Sequence, residues 1–189
     1  FRDLAMLDEV SRREASSTPT PMVEAVRSAL NDFRPLAERA DIHFREELPQ
    51  SLPPVKADKE QLIQVFAHLI DNAIKFSPDG GVVTIRGWEE EQEGIRQSCV
   101  SISDPGIGIE PEHLDHIFER FYQADGGAGR RFGGMGVGLS LVREIVEAHG
   151  GRVDVQSTPQ EGSTFTVTLP QARRRVRAGG NGHVMRATD

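Results

Sequence analysis

The chain has 189 residues, with 22 lysines and arginines against 29 aspartates and glutamates, a formal net charge of −7 and a hydrophobic fraction of 37%. That length and apolar content fit one domain with a single core and exclude a wholly disordered chain. No apolar run reaches eighteen residues, and the single cysteine, Cys99, excludes a disulfide framework and makes a reducing cytosolic setting the default.

Residues 1–15 resemble the end of a charged helix, with Leu4, Leu7 and Val10 at helical spacing, and Ser16-Ser17-Thr18-Pro19 breaks it. Thr20-Pro21 predicts the start of a second helix, with Thr20 as N-cap and Val23, Val26, Leu30 and Phe33 on one stripe. Residues 42–48 alternate like a strand, and Leu52-Pro53-Pro54 reads as a loop. Asp58 followed by Gln61 predicts a capped helix running to Phe76, ended by Ser77-Pro78-Asp79-Gly80-Gly81. Strands are expected near 82–88 and 97–103, with the acidic Glu89–Glu93 run as a solvated hairpin tip. A short helix near 111–118, a glycine-rich stretch at 124–136, a helix near 138–149 closed by Gly150-Gly151, and strands at 152–157 and 163–169 complete the order. Such grouping predicts an α+β fold, a two-layer sandwich with helices on one face of a mixed sheet.

Charge is uneven. Residues 171–189 hold five arginines and one aspartate, a net of +4, which leaves −11 on the rest. An acidic body argues against a nucleic-acid-binding face, and a basic tail reads as a solvated run or an interaction arm. The chain starts at Phe1 rather than Met, as a piece of something longer would.

Three groups of residues carry candidate chemistry. His68, Asn72 and Lys75 share one face of the long helix. An amide oxygen beside an ammonium suits a metal-bound phosphate, although the spacing taken alone favours a solvated polar face. Asp104-Pro105-Gly106-Ile107-Gly108 follows an apolar strand. Its carboxylate can accept from an exocyclic amine, and its glycines let backbone approach a ligand, or the segment is an ordinary turn. Gly134-Met135-Gly136-Val137-Gly138 opens a helix, where backbone N–H groups and the helix dipole favour phosphate.

In their order and spacing, these groups, together with Ile117-Phe118-Glu119-Arg120-Phe121, resemble the N, G1, F and G2 boxes of sensor histidine kinases. The stretch Leu139–Gly151 and the closing Gly162-Ser163-Thr164-Phe165 are similar to that family as well. The resemblance covers roughly residues 21–170. It implies the Bergerat fold, shared with gyrase, MutL and Hsp90 ATPases, and ATP with Mg²⁺ as cofactors.

The resemblance also implies roles by position. Asn72 would hold the Mg²⁺ that bridges the phosphates, with Lys75 neutralising their charge and Phe76 near the nucleotide. Asp104 would read the adenine amine in a pocket shaped by Gly106, Gly108 and Ile109. Residues from about Phe118 to Gly138 would form a mobile lid, with Tyr122 near base or ribose and Arg131 or Arg130 reaching a phosphate. Gly134, Gly136, Val137, Gly138 and Leu139 would hold the phosphates, and Thr164 would back the adenine pocket. His68 stands where many relatives carry Asn and water-activating ATPases carry Glu, and it would meet a phosphate or a metal-bound water.

Without that glutamate, the pattern favours transfer to a protein imidazole over hydrolysis, which needs a general base. None of the six histidines is followed by an acidic residue, as the family's phosphoacceptor is. Residues 1–17 therefore read as a remnant of a dimerisation helix and linker, 18–170 as the ATP-binding catalytic domain, and 171–189 as tail or linker. The implied partners are the dimerisation domain of the same protein, a response regulator receiver domain, and a second copy in a homodimer. The implied setting is cytoplasmic, with a membrane anchor elsewhere in the parent left open. Met135 and Gln123 depart from the pattern and keep a nucleotide-binding regulatory module, or a protein-serine kinase of the same fold, as alternatives.

Overall fold

The computed structural model describes residues 18–122 and 138–173. Its elements are β1 (Thr18–Thr20), α1 (Met22–Arg39), β2 (Ile42–Glu47), β3 (Val55–Ala57), α2 (Lys59–Lys75), β4 (Gly81–Gln92), β5 (Ile95–Asp104), α3 (Pro111–Leu114), α4 (Gly138–Ala148), β6 (Arg152–Thr158) and β7 (Gly162–Pro170). Five strands form a mixed sheet in the order β2-β4-β5-β7-β6. β2 runs parallel to β4, and the other neighbours are antiparallel.

Strand alternation sorts the sheet into two faces. Ile85, Ile102, Phe165 and Val155 stand in one row across four strands, with Val100, Val167 and Val153 in the next. These rows pack with the apolar stripes of α1, α2 and α4, including Val26, Leu30, Val65, Phe66, Leu69, Leu141 and Ile145, into one core. The intervening rows are polar: Thr84, Ser103, Thr164 and Gln156, then Arg86, Ser101, Thr166 and Asp154. This is the expected α+β sandwich, with helices on one face. Among the described residues, no helix is long and apolar enough to cross a membrane.

Several local expectations are corrected. Thr20 is not an N-cap. It is buried in β1, its hydroxyl donates to the Ala57 carbonyl at 2.8 Å, and Pro21 occupies the cap position instead. The three-residue strands β1 and β3 pair with one another and have no counterpart in the sequence reading. Glu89–Gln92 are strand rather than hairpin tip, because partners lie opposite them. Arg152 binds Glu90 at 2.9 Å, Gln171 binds Glu89 at 2.9 Å, and Arg96 lies 3.8 Å from Glu91. Only Pro111–Leu114 of the expected 111–118 helix is helical, and turns follow.

After β7 the chain continues between β5 and β3. The Gln171 N–H donates to the Arg96 carbonyl and that of Ala172 to the Pro54 carbonyl, with Gln171 bridged to Val55. Thr20 is the other neighbour of Val55, so the two ends of the sandwich meet on one short strand.

Candidate functional site

The long helix α2 is fixed at its start, where the Asp58 carboxylate accepts from the Gln61 N–H at 2.9 Å. Burial of Leu62, Val65, Phe66, Leu69, Ile70 and Ala73 leaves His68, Asn72 and Lys75 half-buried along the neighbouring edge. Lys75 does not stand alone there: its Nζ lies 2.7 Å from Asp71 Oδ2, one turn back. The helix ends at Phe76, whose carbonyl accepts from the Ile107 N–H at 3.0 Å. That bond ties the end of α2 to the loop after β5.

Asp104 closes β5 on the helix-facing side and is only 8% exposed. Its Oδ1 accepts from the Gly106 N–H at 2.9 Å. Burial disfavours the charged carboxylate and pushes its pKa up to about 6, against the opposing pull of the Gly106 and Ser163 N–H groups. Gly106 leaves no room for a side chain, since a Cβ there would overlap the Phe76 carbonyl. Gly108 has φ +70°, and a Cβ there would run into the Thr158 carbonyl. The loop is stitched to the turn between β6 and β7: Gln160 N–H donates to the Ile107 carbonyl at 2.7 Å, and Ile109 N–H to Ser157 Oγ at 2.8 Å.

Thr164 is misplaced in the sequence reading. Its hydroxyl meets Ser103 Oγ at 2.7 Å on the polar face, away from Asp104. Ser163, directly opposite Asp104 in the register, stands behind the carboxylate instead, with its hydroxyl 2.7 Å from Ser157 Oγ. The signal was available: Phe165 must face the core, so Ser163 shares its face and Thr164 does not. Asp71, Ser157 and Ser163 are the residues at this site that sequence reasoning missed. Ser77, next to Phe76, is buried with its hydroxyl unpartnered among the described residues, room for a water or ligand atom to satisfy.

The opposite wall is α4. Its first residue, Gly138, faces His68, and a Cβ on Gly138 would lie 3.3 Å from His68 Nδ1. Leu139 packs partly buried against the core. Phe118 tucks edge-on against Phe165, with ring centroids 6.2 Å apart, and Arg120 pairs with Glu144 of α4 at 2.9 Å. Tyr122 lies against α3: its hydroxyl shares a hydrogen bond with His113 Nδ1, and its ring centroid is 5.3 Å from that of His116. Arg130, Arg131, Gly134, Gly136 and Val137 lie outside the described residues.

The structure thus joins His68, Asn72, Lys75 and Phe76 of α2 to the Asp104–Ile109 loop through Phe76, and to Gly138 of α4 through His68. An acceptor stands at one end and a helix N-terminus at the other, a donor set that fits a base with an amine linked to phosphates. Among the described residues, no cluster of three His, Cys, Asp or Glu side chains could hold a metal. Asn72 alone fits the habit of Mg²⁺, which takes few protein oxygens when phosphates and waters supply the rest.

A profile of the family described as histidine kinase-, DNA gyrase B-, and HSP90-like ATPase matches residues 57–173. The chain is 39% identical over 144 residues to the adaptive-response sensory kinase SasA of Microcystis aeruginosa, covering 76% of this chain and 36% of the relative. It is 35% identical to the sensor-like histidine kinase SenX3 of Mycobacterium tuberculosis, over 88% of this chain and 41% of the relative. The chain therefore spans less than half the length of these relatives. Full-length ShkA, solved in complex with AMPPNP, superposes with a TM-score of 0.75 at 27% identity, covering 90% of this chain and 35% of that one.

Proposed function

The chain belongs to the histidine kinase-, DNA gyrase B- and HSP90-like ATPase family, and from that premise we propose that residues 18–170 are the ATP-binding catalytic domain of a two-component sensor kinase. The observation that carries the reading is the buried Asp104 carboxylate, held by Gly106 N–H at the closed end of the cleft. Adenine's exocyclic amine donates to it, and Gly106 and Gly108 shape the pocket by letting the loop close onto Phe76 and Thr158.

The triphosphate then runs along α2 toward Gly138. Lys75 exchanges Asp71 for a phosphate oxygen. Asn72 would hold Mg²⁺, which would supply charge neutralisation for the phosphates. The chain's own residues orient the γ-phosphoryl and exclude water. Transfer breaks the bond from the γ-phosphorus to the ADP oxygen and forms a bond to the unprotonated nitrogen of an imidazole, whose other nitrogen releases its proton to solvent. The imidazole comes from a dimerisation domain of the same parent protein, and a response regulator aspartate receives the phosphoryl next. With no glutamate near His68 on α2, little activated water competes.

Calorimetry with Mg–ATP tests the first step. Binding to wild type that is lost in Asp104→Asn supports the assignment, and no binding overturns it. Mixing the chain with its own histidine-bearing domain and γ-labelled ATP tests the second. Label transfer supports the kinase, and binding without transfer supports a regulatory module.

A further inference from the structure

Ser157, near the end of β6, has three hydrogen-bond neighbours for a single hydroxyl. Its Oγ donates to the Gly162 carbonyl at 2.9 Å, accepts from the Ile109 N–H at 2.8 Å, and lies 2.7 Å from Ser163 Oγ. A hydroxyl has one proton and two lone pairs. The Gly162 carbonyl can only accept, so it takes the proton, and the Ile109 N–H takes one lone pair. What remains for Ser163 is the second lone pair. Ser163 therefore donates and Ser157 accepts, the only direction that makes all three bonds at once.

The consequence falls on Ser163. Its one hydroxyl proton is directed to Ser157, so its oxygen has only a lone pair left to offer. Ser163 is buried, and it stands directly opposite Asp104 in the register of β5 and β7. Side chains so opposed share a face of the sheet and lie about 5 Å apart. The Asp104 carboxylate is itself an acceptor. The backbone donors beside it, the Gly106 and Ser163 N–H groups, already bond that carboxylate. Two acceptors thus stand side by side at the closed end of the cleft, one by its charge and one by the bond to Ser157. A base that presents an amine meets them with protons. A base that presents a carbonyl brings further lone pairs, and the Ser163 hydroxyl is not free to turn toward it.

We infer that Ser157 is a positioning residue for base selection: by taking the Ser163 proton it keeps this end of the cleft acceptor-only, which admits a purine bearing an amine and rejects one bearing a carbonyl at the same place. Ser157 touches no ligand and acts through Ser163. The inference rests on the ATP reading above and deepens it. Ser157 also fastens Ile109. A loosened loop would weaken every purine alike, so the ratio between two purines isolates the polarity.

Calorimetry on the full 189-residue chain compares Mg–ATP with Mg–ITP, the inosine nucleotide, which has a carbonyl and a ring N–H where ATP has the amine and a bare ring nitrogen. Measurement at pH 8 keeps Asp104 ionised. Wild type should prefer ATP. Ser157→Ala frees the Ser163 hydroxyl to donate, and should lower the ATP-to-ITP preference about fivefold, the size of one net hydrogen bond. Ser157→Thr keeps the hydroxyl and should keep the preference. Ser163→Ala removes the second acceptor and should lower the preference too, which answers the question if Ser157→Ala does not fold. In the Ser163→Ala background, Ser157→Ala should change the ratio no further. A wild type without preference overturns the inference. So does a ratio that Ser157→Ala or Ser163→Ala leaves unchanged, even if both nucleotides weaken, or one that Ser157→Ala lowers equally without Ser163. Failure of wild type to bind either nucleotide overturns the ATP reading itself.

Discussion

The carbonyl oxygen of Phe76 and the α-carbon of Gly106 are packed so closely that any side chain at residue 106 would overlap that oxygen. The end of α2, which carries Asn72 and Lys75, is thereby held against the loop that carries Asp104, and the Ile107 N–H to Phe76 bond fixes the contact. Gly106→Ala must push these two segments apart. The expected cost is about 2 kcal/mol or more of stability, as for overpacked sites, with loss of nucleotide binding. Denaturant unfolding and calorimetry check both.

Asp104 gives a pH prediction of unusual sign. Burial raises its pKa from the ordinary 3.8 of a free aspartate to about 6 on folding. The folded state therefore holds the proton more tightly than the unfolded chain. Asp104's contribution to stability is full below pH 3.8 and is lost as pH rises through 6. Asp104→Asn should remove that part of the pH dependence. At pH 7 it should leave the nucleotide-free protein no less stable, while abolishing ATP binding. Thermal melts at pH 4.5 and 7 decide it. Wild-type affinity for ATP should also fall as pH drops below about 6, because the protonated carboxyl is a poorer acceptor for the amine.

Lys75 is paired with Asp71 at a site partly open to solvent, so its removal should barely affect the fold. Lys75→Met is expected to change stability by less than about 1 kcal/mol. It should weaken Mg–ATP by about tenfold, some 1.4 kcal/mol, and leave adenosine untouched. A loss of adenosine binding would show that Lys75 supports the base pocket instead.

Cys99 should be inert. It is fully buried between Trp88 and Thr168 in the sheet register, and burial pushes its thiol pKa up to about 11. Thiolate is the reactive form. Thiol reagents at pH 8 should label the unfolded chain and not the native one, a contrast read by mass spectrometry.

The sandwich was legible because its alternation is strong. Val83, Ile85, Val100, Ile102 and Phe165 announce their face without help from the rest of the chain. β1 and β3 were not legible: each is three residues long, contains or follows proline, and exists only because the two find each other 37 positions apart. The Glu89–Glu91 run looked solvated because its cationic and amide partners lie on distant strands. At the site, Asp104 and the α2 face stood out by residue type and spacing. Ser163 was hidden behind its neighbour Thr164, since only the strand register separates them.

One consequence follows from β3. Thr20, on the way into the sandwich, and Gln171, on the way out, flank the same residue, Val55. The fold thus behaves as a cassette with both leads soldered to one terminal. Thr18 pairs with Ala57 at one end of β3, and Ala172 binds the Pro54 carbonyl just before its other end. A shift of Thr20 would therefore reach Gln171 across a single three-residue strand, without passing through Asp104 or α2.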